Sequence, residues 1–112
     1  MPFEVSGKLV DFILDLSRQF YEYMRRQDFF SALIILRTLI SYTPEDYRNI
    51  LIELYAPIRN KIYDDPTNDM DEKVANKVLL ANDLYVLFEK INDALSAGGI
   101  LRREVTMLRE EV

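Results

Sequence analysis

Apolar residues recur along most of this chain at spacings of three and four, the repeat of a helix face rather than of a strand. From Lys8 to about Gln27 the stripe is Leu9, Ile13, Leu16, Phe20 and Met24. Phe12 and Tyr23 widen it on one side, and Val10, Leu14 and Tyr21 on the other. The resulting arc of roughly 200° is twice the ~100° that a helix with one neighbour uses, so this helix is predicted to touch two partners. Asp28 to Tyr42 is the most concentrated stretch. Phe29, Ala32, Leu33, Ile35, Leu36, Leu39, Ile40 and Tyr42 cover about half of its circumference, and Phe30 and Ile34 stand on the rest. Its few polar residues, Ser31, Arg37, Thr38 and Ser41, are mostly small. This is the expected central helix, capped by Asp28 and enclosed by its neighbours.

Thr43-Pro44-Glu45-Asp46 then reads as a helix start, with Thr43 as N-cap, Pro44 at the first helical position and acids in the first turn. The stripe of the third helix is Tyr47, Ile50, Leu51, Leu54, Tyr55, Ile58 and Ile62. Pro57 lies inside it and removes the hydrogen bond to the carbonyl of Glu53, which predicts a kink or an early end. Residues 63–68 read as a loop broken by Pro66. A fourth helix from about Met70 to Ala97 carries a second over-wide apolar arc, with Leu79 and Val86 projecting off it. Gly98-Gly99 ends that helix. Ile100 to Val112 has only a narrow seam, Leu101, Val105, Leu108 and Val112, in the spacing of a coiled coil. Thirteen residues make a marginal helix in isolation, so this one is expected to dock, on its own domain or on another chain.

The predicted fold is therefore all-α: an antiparallel bundle, or a short stack of helical hairpins, of four main helices with a central buried helix. A short C-terminal helix follows. Residues 1–97 form the helical core domain, and residues 98–112 form the Gly-Gly hinge and the C-terminal amphipathic helix. With 112 residues and 49% hydrophobic content, one ordinary core is within reach. The longest apolar run is a few residues, short of the ~20 a membrane helix needs. With no N-terminal signal-like segment either, the expectation is a soluble, cytoplasmic protein.

Composition narrows the chemistry. The chain has no Cys, His or Trp. Disulfides, thiolate nucleophiles and thiolate metal sites are excluded, although the redox compartment stays open. Without His there is no usual general base near neutral pH, and no Ser-His or Cys-His pair. The formal charge of −5 is unevenly placed: residues 1–62 hold eight bases and eight acids, residues 63–112 six bases and eleven acids. Eleven of the thirteen Phe and Tyr lie at or before Tyr63. Bulk thus sits in the first part and negative charge in the second. That balance argues against a nucleic-acid binder, which normally shows a basic stripe.

The densest group of oxygen ligands is Asp64, Asp65, Asn68, Asp69, Asp71 and Glu72. An EF-hand calcium loop starting at Asp65 would keep the alternation through Thr67, Asp69 and Asp71. Met70 would then stand in the Gly place and Asn76 in the Glu place, so the segment reads as a solvated loop with helix-capping acids. Asp64-Asp65-Pro66-Thr67-Asn68 has the shape of a magnesium-diphosphate signature, but the prenyl-transfer fold that uses it needs a far longer chain. A di-iron bundle needs Glu-x-x-His pairs. Helical nucleotide pyrophosphatases need Glu-x-x-Glu clusters on facing helices, and HEPN ribonucleases an Arg-x4-His motif; none of these occurs. No enzymatic activity and no cofactor or metal site is expected. The arginines Arg18, Arg25, Arg26, Arg37, Arg48 and Arg59 read mainly as solvated helix faces paired with nearby acids.

From Leu16 to Pro44, the residues Leu16, Tyr23, Ala32, Leu36 and Pro44 fall at large, aromatic, small, large and terminal-proline positions. In this the stretch resembles a single tetratricopeptide helical hairpin. Phe20 stands where that family has a small residue and Leu39 where it has Ala, and no second copy follows, whereas such arrays need about three. The resemblance implies a helical hairpin and assigns no family.

The function expected from these features is that of a non-enzymatic protein–protein interaction module that self-associates through helical faces. Its expected interface is Val10, Leu14, Tyr21, Leu79, Val86, Leu101, Val105, Leu108 and Val112. A second expectation is an acidic regulator or inhibitor that binds a basic surface of a partner protein through Asp64, Asp65, Asp69, Asp71 and Glu72. The third is direct nucleic-acid binding through the Arg faces.

Overall fold

The structure is a computed structural model that describes residues 7–63 and 70–97, with the backbone alone for residues 70–75. Every regular element among them is a helix: α1 (Gly7–Arg25), α2 (Phe29–Ile40), α3 (Glu45–Tyr63) and α4 (Met70–Ala97). They pack as an all-α bundle. Successive helices run antiparallel, as side-chain contacts between the start of one and the end of the next show. Phe12 of α1 meets Tyr42 just after α2 at 5.8 Å, and Phe30 of α2 meets Tyr63 of α3 at 5.3 Å. Helix α2 touches α1, α3 and α4.

The boundaries follow from local chemistry. Helix α1 ends because Gln27 takes φ +60°, a left-handed conformation that bends the chain back. The Asp28 N–H then donates to the Tyr23 carbonyl at 2.9 Å and the Gln27 N–H to that of Met24 at 3.0 Å, the paired bonds of a Schellman C-cap. Such a position favours Gly, which has no Cβ to crowd the following carbonyl. Gln27→Gly should accordingly raise the thermal midpoint by a few degrees, corresponding to ~0.5–1 kcal/mol, in a calorimetric scan. Asp28 caps α2 as expected: its carboxylate accepts from the Ser31 N–H at 3.2 Å and from the Ser31 hydroxyl at 2.7 Å. The hydroxyl bond first, and the N–H second, hold this carboxyl below its ordinary range.

The start of α3 differs from expectation by one residue. The Pro44 carbonyl accepts from the N–H groups of Tyr47 and Arg48, so Pro44 occupies the cap position. Thr43 is buried and turns its hydroxyl back to donate to the Ile40 carbonyl at 2.6 Å, closing the end of α2. Helix α3 does not end early at Pro57 but continues to Tyr63.

The core joins one face of each helix. Ile13, Phe20, Leu36, Leu39, Leu84 and Ile91 are among its fully buried members. Phe20 of α1 stacks on Phe88 of α4 at 4.4 Å, with Tyr21 and Tyr85 edge-on at 5.6 and 5.7 Å from the Phe20 ring. Seven residues of α2 are buried, yet Phe30 and Ile34 are exposed, so this helix is not enclosed on every side. Helix α3 buries only Leu51 and Ile58 fully; Tyr47, Ile50 and Leu54 of its predicted stripe are exposed.

Candidate interaction surface

The residues expected to form an interface separate into three groups. Val10, Leu14 and Tyr21 are half-buried against the chain's own core, and Tyr21 packs edge-on to Phe88 at 5.1 Å. Helix α1 has two neighbours inside its own chain, α2 and, through the aromatic cluster, α4, and these three residues flank that packing. Leu79 and Val86 are open on α4, at 62% and 46% exposure. Leu101, Val105, Leu108 and Val112 lie outside the described residues. So do Asp64, Asp65 and Asp69 of the acidic patch; Asp71 and Glu72 fall in the first turn of α4, where only backbone is described. Among the described residues, no group of three or more acidic side chains could hold a metal ion, and no helix is long and apolar enough to cross a membrane.

The expected Arg face is broken up by local partners. Arg25 and Arg26 both pair with Glu22, and the hydrogen bond from Arg25 is the main reason that carboxyl is held low. Arg48 donates to the Thr43 carbonyl at 2.8 Å. The guanidinium of Arg59 lies 5.0 Å from the centre of the Tyr63 ring. Such exposed ion pairs contribute little to stability, ~0–1 kcal/mol each. Their effect is to fix side-chain direction.

Arg59 belongs to a surface that sequence spacing did not single out. Phe30 and Ile34, one turn apart on α2, are 51% and 59% exposed, and Tyr63, 52% exposed, sets its ring edge-on to Phe30. Aromatic rings, an aliphatic side chain and a cation-bearing Arg are thus grouped on one side of α2 and α3. These are the residue types enriched in protein interfaces. A period-based reading could not find the cluster, because Phe30 and Ile34 looked like the back of an enclosed helix and Tyr63 looked like loop.

A second open feature lies between α3 and α4. The cleft has a volume of about 270 Å³ and is lined by Leu54, Pro57, Ile58, Val86 and Leu87, with Glu53 and Lys90 among the charged residues on its rim. Lys61 and Asp83 bridge the two helices at 3.1 Å. Small-molecule pockets commonly run roughly 300–1,000 Å³. This one is smaller and shaped by two helices, which suits inserted side chains better than a separate ligand.

No protein-family model, curated protein or solved structure matches the chain. Its surfaces must therefore be read from their own chemistry.

One buried polar group remains. Asn92 of α4 is 1% exposed, and neither atom of its amide has a hydrogen-bond partner among the described residues. A buried amide left unpaired costs ~1–3 kcal/mol. Asn92→Leu, close in shape, should therefore raise the thermal midpoint by several degrees. A fall instead would show that the amide is bound.

Proposed function

We propose that this chain is a non-enzymatic protein–protein interaction module that self-associates through its open helical faces. The observation supporting this reading is the Phe30–Ile34–Tyr63–Arg59 cluster, whose three apolar members are each at least half exposed. An Arg held against an aromatic ring has already lost part of its freedom, so less entropy is lost when a partner covers it. A two-fold arrangement would bring the same patch of two copies together.

Light scattering behind a sizing column tests the proposal. The full chain is expected to run above its 13.2 kDa monomer mass. Ile34→Glu should return it to a monomer with unchanged circular dichroism, since Ile34 makes no part of the core and a carboxylate there would be buried unpaired in the interface. A full chain that is monomeric at high concentration would end the reading.

The charge distribution supports a second reading, an acidic regulator of a basic partner surface, because the whole negative excess lies after Tyr63. Binding of that kind weakens steeply with salt, whereas association through an apolar patch does not.

A further inference from the structure

We propose that the segment Ile100–Val112 folds back on its own chain and covers the open strip of α3 beside the α3/α4 cleft. The strip is Tyr47, Ile50, Leu54 and Pro57, spaced 3-4-3; Ile50 is 58% exposed, and Leu54 and Pro57 line the cleft. The sequence pattern marks Tyr47, Ile50 and Leu54 as core, yet all three stay exposed among the described helices. The one stretch of chain whose apolar pattern is complementary is the seam Leu101, Val105, Leu108 and Val112, spaced 4-3-4. At ~1.5 Å per residue, the strip on α3 and the seam are both roughly 15 Å long.

Connection and direction agree with the match. Helices α3 and α4 are antiparallel, with Lys61 level with Asp83 and the cleft bringing Leu54 and Lys90 together. On that register the end of α4 at Ala97 lies beside the start of α3, next to Tyr47 and Ile50. A chain reversing at Gly98-Gly99 therefore enters the strip at its near end and runs along it in the same direction as α3. Counting from the turn, Leu101 falls near Tyr47, Val105 near Ile50 and Leu108 near Leu54. Charges on the rim match as well. Glu53 falls about one turn from Arg103, and Lys90 about one turn from Glu104 and Glu111. A helix set into a two-helix groove is a recurring mode of recognition, and here the tether raises the effective concentration of the helix.

This inference concerns a different face from the α2/α3 cluster, so either can fail without the other. Because the chain has no cysteine, disulfide trapping in the full-length protein is clean. The pairs Ile50→Cys with Val105→Cys, and Leu54→Cys with Leu108→Cys, replace exposed side chains on α3 and leave the buried core untouched. Ile34→Cys with Val105→Cys is the control, since Ile34 lies on the other face. Under dilute oxidation at least one of the two pairs should close within the chain, losing both thiols at monomer mass, while the control stays reduced. Closure only between chains would overturn the proposal in favour of a swapped dimer. Pairs that stay as reduced as the control would overturn it outright.

Discussion

Replacing Phe20 by Ala should lower the stability of the folded chain by ~3–5 kcal/mol, a large part of the ~5–15 kcal/mol that holds a domain of this size together. Phe20 is fully buried, stacked at 4.4 Å on Phe88 and approached edge-on by Tyr21 and Tyr85. Its ring joins α1 to α4, alongside the contacts of Tyr21 with Phe88 and Tyr85. Truncation would remove the transfer free energy of the ring, the ring–ring terms of ~0.5–1.5 kcal/mol each, and leave a cavity that rigid helices close only in part. Urea unfolding followed by circular dichroism measures the loss. Phe20→Leu should recover about half of it, since volume returns but the stacking does not. A Phe20→Ala midpoint close to that of the parent would mean that α1 is held by α2 alone.

Leu36→Ala should cost ~2–5 kcal/mol, by the cavity mechanism without any aromatic term. Leu36 is fully buried in the middle of α2, the helix that touches all three others, so its side chain is surrounded from several directions and none can collapse inward freely. The same substitution should alter association only as far as it unfolds the protein. Comparing it with Ile34→Glu, two residues away on the open face, separates stability from binding. The first should shift the unfolding midpoint and spare association in the folded fraction, and the second should do the reverse. A stable Leu36→Ala protein unable to associate would contradict this division of α2 into a core face and a binding face.

Much of the architecture was legible because helical periodicity and caps are local. The spans of α1, α2 and α4, the Asp28 cap and the core positions Ile13, Phe20, Leu36, Leu84 and Ile91 all follow from spacing and from residues within a few positions of one another. The stripe of α3 was less legible. Tyr47, Ile50 and Leu54 belong to the same apolar arc as Leu51 and Ile58, and whether an arc is covered depends on how many neighbours a helix has. The left-handed Gln27 also left no mark, because the usual signal for that conformation is Gly or Asn.

The candidate surfaces divide in the same way. The arc of α1 is over-wide, and α4 of the same chain meets part of it through Tyr21, while Val10 and Leu14 are half-buried beside the core. Phe30, Ile34, Arg59 and Tyr63 come from two helices that the sequence places about thirty residues apart, and only the packing of α2 on α3 joins them. The sequence alone determined that this protein is helical, where most helices begin and end, and which chemistries its side chains lack. Tertiary structure decided which apolar arcs meet and which stay open. Periodicity specifies that a face is apolar, whereas burial of that face depends on long-range contacts that no local pattern encodes.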